Sequence, residues 1–429
     1  MRRRARAAEA LAAGLALLAV TACGSRLPES AFDDRGASRT PAAAREPVRV
    51  GIITSATSPV GGATFTDTRD GAQAYFRNLN QKGGIQGRRV EVLTCDDGGS
   101  GVGNNECVHK LVDEQRVVAL VATTSLDYAG AARVSRAGVP DIGGQPIGAA
   151  YDTYPHLYGI YGSLAPRRGT PGWDGKLYGG TEVYRYFKRE QGARTAAVVS
   201  YNQAASAGYA RLVTRGLKAE GYRVISEQVD FALPNFRAVA ADMKDRGVDL
   251  VLDAIDAHGN AQLCKAMDQV GARVTAKVTN VQNWTSTVAA DYKDAPHCRA
   301  ALWATGASRN YQDTGHPAVR AFRDATAGLG THAQWQLEGW AAALWFTDAA
   351  RSCATDVTRA CVDRFMNRGT PYTADGLLVP VTFRRLAAPP THRRTCLSVA
   401  KWTDGKGWVT RSGDMDRTCF DVPQLSYQP

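Results

Sequence analysis

Val48-Arg49-Val50-Gly51-Ile52-Ile53-Thr54 decides the fold. The stretch is short and rich in β-branched residues, and the segment before it has neither helical nor strand periodicity, so it reads as the first strand of a domain. Similar runs recur at 89–95, 117–121 and 139–143. After a connection rich in Gly, Pro and Tyr at 151–173, they resume at 195–200, 223–229, 248–254 and 277–281. Amphipathic stretches such as 66–80, 207–220 and 235–246 lie between them. Short apolar runs alternating with helical stretches predict an α/β fold: two doubly wound, Rossmann-like lobes, each with a largely parallel sheet. From about Leu302 the chain holds a helical stretch at 335–350 and a region between Cys396 and Cys419 with hairpin character at Asp404-Gly405-Lys406-Gly407. Lobe I is expected to comprise 48–166 plus about 300–372, and lobe II about 167–299 plus 373–429.

On the amino side of Val48 the chain reads differently. Arg2, Arg3, Arg4 and Arg6 precede an apolar run from Leu11 to Val20 and small residues before Cys23, the layout of an export signal over residues 1–22. The run spans roughly ten residues where a membrane-crossing helix needs about twenty, so cleavage rather than a stable span is expected. Val20-Thr21-Ala22-Cys23-Gly24-Ser25 resembles the lipobox of bacterial lipoproteins, which implies diacylation of Cys23 and a place on the outer face of the cell membrane; plain cleavage after Ala22 also suits these residues. Two acyl chains suffice for stable anchoring. Residues 24–47, rich in Ser, Ala, Arg and Pro, are expected to be a flexible tether.

Of the nine cysteines, setting Cys23 aside leaves an even eight, which in an exported chain reads as disulfides. Proximity suggests Cys95 with Cys107, Cys264 with Cys298, Cys353 with Cys361, and Cys396 with Cys419. Neither Cys107-Val108-His109 nor His297-Cys298 has zinc-site spacing, so no metal is expected. Loss of the leader takes the formal charge from +11 to about +8. The basic residues are scattered, which argues against nucleic acid as a partner.

Several segments in order carry a resemblance. They are Val50-Gly51-Ile52-Ile53 through Ser58-Pro59, Gly71-Ala72, Asn80-Gln81-Lys82-Gly83-Gly84-Ile85, Gly87-Arg88-Arg89, Cys95-Asp96-Asp97, 118–125 and Val139-Pro140. Later come Ala197-Val198-Val199, Ala207-Gly208-Tyr209-Ala210, Gly216-Leu217 and Asp249-Leu250-Val251. Together they look like the branched-chain amino-acid (Leu/Ile/Val) binding-protein family of ABC transporters. The resemblance implies a type I periplasmic-binding fold, in which two lobes joined by three hinge strands close on a small-molecule ligand. It also implies an ABC permease in the membrane as partner, a monomer, no cofactor and no enzymatic activity.

Thr123-Thr124-Ser125 follow the third strand and precede a helix expected to begin near Leu126. Hydroxyls and free helix amides at the carboxyl ends of parallel strands can hold polar ligand groups; the same residues suit capping of that helix. The family's other contact positions fall on Ser58, Thr64 and Phe65, on Gly144 and Gln145, on Asn202 and Ala205, on Asp253 and Asp256, and on Gln282 to Trp284. Departures are visible. Gly143-Gly144-Gln145-Pro146 replaces a small-Ala-Thr segment, Ala205 stands where a Tyr is usual, and neutral Gln282 and Asn283 stand where an acidic residue would meet an ammonium group. Asp253 or Asp256 could supply that charge and Trp284 a stacking wall, so an amino acid, an amide or a related metabolite all remain open as ligand.

Gly99-Ser100-Gly101-Val102-Gly103 lacks dinucleotide-fingerprint spacing and is read as a loop closed by Cys95 and Cys107. No hydrolase elbow, zinc-protease helix or P-loop is present, and the seven histidines share no motif. A sensing receptor of the same fold, coupled to a membrane signalling protein, is the alternative reading.

Overall fold

The computed structural model describes residues 46–428 apart from Val60 and Thr355. The expected leader, Cys23 and nearly all of the tether lie outside the described residues. β1 (Val48–Thr54), β2 (Val90–Asp96), β3 (Ala119–Val121), β4 (Asp141–Gly144) and β5 (Leu157–Gly159) form one sheet in the order β2-β1-β3-β4-β5, parallel throughout. Apart from the exposed Arg49 and the terminal Thr54, both faces of β1 are apolar, so the strand lies inside the sheet. Val48, Val50, Ile52 and Ile53 are fully buried, and a Cβ at Gly51 would come within 2.7 Å of the Leu120 side chain. Parallel strands covered on both faces have this near-continuous apolar character.

After β6 (Leu177–Gly179), a second sheet repeats the pattern. β7 (Thr195–Tyr201), β8 (Arg223–Val229), β9 (Leu250–Ala254), β10 (Ala276–Thr279) and β11 (Leu302–Gly306) run parallel in the order β8-β7-β9-β10-β11. β12 (His392–Cys396), β13 (Ser398–Thr403), β14 (Gly407–Thr410), β15 (Cys419–Pro423) and β16 (Leu425–Tyr427) follow. β13 adds antiparallel to β11 and β14 to β13, around a turn in which Gly405 and Gly407 take φ of 74° and 75°. β12 pairs with β15, and β16 with β6, both antiparallel. The two doubly wound lobes are therefore present, and in each the strand order reverses between its first and third strands, where α/β sheets open a crevice.

The helix Gln334–Arg351 is buried almost all round and packs on the helix Asp67–Gln81. The contact is made through glycine on both sides. A Cβ at Gly71 would lie 1.8 Å from the carbonyl oxygen of Gln336, and one at Gly339 would lie 1.9 Å from that of Thr68. Tyr75 meets Trp340 edge-on beside this crossing, ring centroids 4.9 Å apart.

Two expected lobe boundaries move. β11, placed by the sequence in lobe I, pairs with β10 and β13 in the second sheet. Residues 373–383, placed in lobe II, stay with the first: Tyr372 and Val381 exchange backbone bonds, and the Phe383 ring packs 4.9 Å from Tyr158 and 5.7 Å from Trp345. A crossing strand has no periodicity that separates it from its neighbours, so sequence patterning places it poorly. The Gly-rich segment is also only partly loop, because Ser100 caps a helix Gly101–Val108 by accepting from Gly103 N at 3.1 Å. Among the described residues the eight cysteines form the four expected disulfides, Cys95–Cys107, Cys264–Cys298, Cys353–Cys361 and Cys396–Cys419.

Gly339→Ala is expected to destabilise the protein by about 1–3 kcal/mol, because a methyl group cannot fit between the crossing backbones without moving one of them. The readout is the urea midpoint at constant slope; an unchanged midpoint would contradict the close crossing.

Candidate functional site

The first lobe's polar residues gather at the carboxyl ends of β1 and β3. Ser55 N donates to Thr124 O at 3.0 Å and Thr124 N to Ile53 O at 2.9 Å, so the segment after β3 continues the sheet for one more residue. Its hydroxyls turn inward. Thr123 Oγ1 donates to Asp141 Oδ1 at 3.0 Å; Thr124 Oγ1 bonds Thr68 Oγ1 and, at 3.1 Å, Ala122 O. Ser125 Oγ bonds Asp97 Oδ2 and accepts from Asn104 Nδ2 at 2.8 Å. Asp97 takes further bonds from Ser55 Oγ at 2.7 Å and Gly99 N at 2.9 Å. The expected helix at Leu126 does not form; turns follow, and the next helix is Ala131–Arg136. Ser125 is spent on Asp97 and Asn104 instead of capping, and Asn104 Oδ1 itself accepts from Gly130 N at 2.8 Å, just ahead of that later helix.

The other expected contact residues separate into different roles. Ser58 is buried in the turn after β1, its N donating to Ser55 O at 3.1 Å. Thr64 sits in the short helix Gly62–Phe65. Phe65 is buried, its ring 5.9 Å from Trp335 and its carbonyl accepting from Thr54 Oγ1 at 2.6 Å. Gln145 is buried beyond β4 and donates to Glu338 Oε2 at 2.7 Å. Asn202, exposed, closes a loop by donating to Asp230 Oδ2 at 2.9 Å and accepting from Phe231 N at 3.1 Å. Gln282 is half-buried in the single turn Val281–Asn283.

Three expectations need correction. Asp253 is not a free carboxylate: it is buried, ion-paired with the equally buried Lys277, and accepts from Asn260 Nδ2 at 2.9 Å. Removing one partner of such a pair leaves an uncompensated buried charge, at a typical cost of about 3–5 kcal/mol. Asp256 caps the helix Ala257–Val270, accepting from Gly259 N at 2.8 Å and from the Tyr201 hydroxyl at 2.9 Å. Trp284 is fully buried, ring centroid 6.0 Å from that of Trp408, and is a core residue instead of a wall open to ligand.

A space able to take a small molecule lies mainly on the second lobe. A cavity of about 510 Å³ runs along the carboxyl ends of β9, β10 and β11, bounded by Leu252 and Asp253, by Val278 to Val281 and by Thr305 to Ala307. Tyr161, Val379 and Pro380, where the chain passes between lobes, close one side; Tyr184, Tyr209, Arg393, Arg394 and Leu397 close the other. Among the described residues, Asp253 is the one expected contact residue that borders it. Tyr209 was visible in the Ala207-Gly208-Tyr209-Ala210 segment. Arg393 and Arg394 had no sequence signal, since they arrive through the pairing of β12 with β15. The walls combine aliphatic and aromatic surface with hydroxyl, amide and guanidinium groups and with the carboxyl groups of Asp253 and Glu182, the latter beside Arg393, which suits a small molecule with an apolar body and polar ends.

Below the Thr123 segment, Asp141 is fully buried, and the Tyr128 and Tyr151 hydroxyls donate to its Oδ2 at 2.6 and 3.0 Å. Burial pushes its pKa up to about 6, against the three hydrogen bonds that favour the charged form. The native state thus holds this proton where the unfolded chain has lost it. The group's contribution to stability is full below about 3.8, the ordinary carboxyl value, and is lost as pH rises to about 6. Asp141→Asn is expected to remove a decline on the order of 3 kcal/mol across that window, read from urea midpoints at successive pH values. A variant that keeps the wild-type slope would place the proton elsewhere.

Comparison with known proteins bears on the whole. The sequence profile of the periplasmic binding protein family matches residues 47–406. No curated protein matches the chain. Among solved structures, an extracellular ligand-binding receptor from Verminephrobacter eiseniae superposes with a TM-score of 0.65 at 16% identity, covering 85% of this chain and 99% of its own. The branched-chain amino acid transporter substrate-binding protein LivJ from Streptococcus pneumoniae, in complex with isoleucine, gives 0.62 at 16% identity over 85% of this chain and 100% of its own. An ABC-transporter solute-binding protein from R. palustris, in complex with benzoate, gives 0.64 at 15% identity over 88% and 97%.

Proposed function

The chain belongs to the periplasmic binding protein family, and from that premise we propose that it captures a small polar molecule between its lobes and delivers it to an ABC permease. The observation that carries this reading is the cavity at the carboxyl ends of β9, β10 and β11, walled on one side by the segments that join the lobes. A ligand held there touches both the second lobe and the hinge, so its contacts can favour one lobe arrangement over another. An amino acid, an amide or a related metabolite fits the mixed lining. Isoleucine and benzoate, held by two proteins of similar fold, both carry a carboxylate on an apolar body. Arg393 and Arg394 at the cavity's edge are suited to such a group. Cys23 would carry the lipid that keeps the protein, as a monomer, at the outer face of the membrane.

The test is a thermal-shift series on residues 46–429, which form one compact unit, with amino acids, amides, sugars, short peptides and organic acids. A true ligand at about a hundred times its dissociation constant adds about 2.7 kcal/mol of apparent stability. Tyr209→Ala is expected to abolish the shift, whereas Asn202→Ala, which alters only the loop at Asp230, is expected to leave it. Absence of a shift across all classes, after removal of co-purified ligand, would count against solute capture.

A further inference from the structure

One carboxyl group ties together the places where the chain passes between the lobes. Glu338, on the helix Gln334–Arg351, is fully buried and accepts from Ser308 Oγ at 2.6 Å, Gln145 Nε2 at 2.7 Å and the Tyr161 hydroxyl at 3.1 Å. Gln145 follows β4 in the first lobe, Tyr161 lies on the first crossing and Ser308 on the second. The third crossing is fastened alongside: Val379 N donates to Ala307 O at 2.9 Å and Arg309 N to Leu377 O at 2.7 Å. Gln334 braces the same point, donating to Ser308 Oγ at 2.7 Å. Tyr161 is at once a donor to the carboxyl and part of the cavity wall.

The geometry points to Glu338 as the positioning residue of the hinge, a carboxyl that holds Tyr161 against the cavity and whose protonation favours closure of the lobes. This rests on the reading of the cavity as the place where the protein closes on its ligand. Burial acts most strongly on Glu338 and pushes its pKa up to about 7, while its three hydrogen bonds pull the other way. The ionisable groups on the elements packed around it bond to other partners, and two of them titrate in the same range, since burial pushes Asp67 up to about 7 and Asp141 up to about 6; the Glu338→Gln variant separates their effect from that of Glu338. Asp67 accepts from Gln336 at 3.1 Å, Asp141 is held by Thr123, Tyr128 and Tyr151, and Arg309 pairs with Asp313 and Asp414. Tyr161 is the carboxyl's link to the cavity, so a separation of the lobes that wets the cavity would bring water towards the carboxylate, and closure would exclude it. Loss of water raises a carboxyl pKa, so proton uptake and closure favour each other. Each unit by which the pKa differs between the two forms changes the closure equilibrium about tenfold.

Small-angle X-ray scattering of the full chain without ligand, from about pH 5 to about pH 9, tests this. The radius of gyration is expected to fall as pH falls, with a midpoint at about 7. Glu338→Gln keeps the shape of the side chain without its titration and is expected to stay compact throughout. Tyr161→Phe removes one donor to the carboxylate and is expected to move the midpoint upward. A wild-type radius that does not respond to pH, a Glu338→Gln chain that still responds as wild type does, or an unmoved midpoint in Tyr161→Phe would each overturn the proposal. Since no ligand is present, these outcomes are separate from the thermal-shift test of binding.

Discussion

The architecture depends on the place where two helix backbones nearly touch. At Gly71 and Gly339 nothing larger than hydrogen fits between the helices Asp67–Gln81 and Gln334–Arg351. That contact draws a segment from the last quarter of the chain into the core of the lobe built by the first. With the helix fixed there, Trp335 reaches Phe65, Gln336 reaches Asp67, and Glu338 arrives beside Gln145, Ser308 and Tyr161. The repeated crossings follow from the same constraint, since the chain must leave the second sheet after β11 to supply this helix and return to add β13.

Much of the fold could be read because its determinants are local. The bounds of Val48–Thr54 and Arg223–Val229 are those expected, each being a β-branched run with clear breaks on both sides. The disulfides followed from proximity along the chain. The site was less legible because sequence shows which residue types are present and not which partners they have found. Nothing near Asp253 in sequence shows that Lys277, a lysine buried inside a strand, neutralises it. Trp284 is covered by Trp408 from the β13–β14 hairpin, a partner more than a hundred residues away in sequence. Glu338 and Tyr161 gave no signal at all, because their meaning lies in contacts between segments far apart in sequence.

The two lobes differ in character where they face each other. On the first, Thr123, Thr124 and Ser125 bind to Asp141, Thr68 and Asp97, giving a rigid edge whose hydrogen-bonding capacity is largely used. On the second, the strand ends border open volume, with Tyr209 half exposed beside it. Of the departures from the usual amino-acid binding pattern, the one at Gln145 has a structural explanation, its bond to Glu338; Asp253, which could have supplied the missing charge, neutralises Lys277.

The pairing of β12 with β15 and of β6 with β16 has a consequence for the order in which the protein is made. β12 carries Arg393 and Arg394 to the cavity, yet it is held by β15 and by the Cys396–Cys419 link, both supplied by the final stretch of the chain. Synthesis proceeds from the amino end, so a nascent chain that has not yet made β15 has most of both sheets but an unsupported cavity wall. That wall is therefore completed only after β15 has been made and the Cys396–Cys419 link has formed.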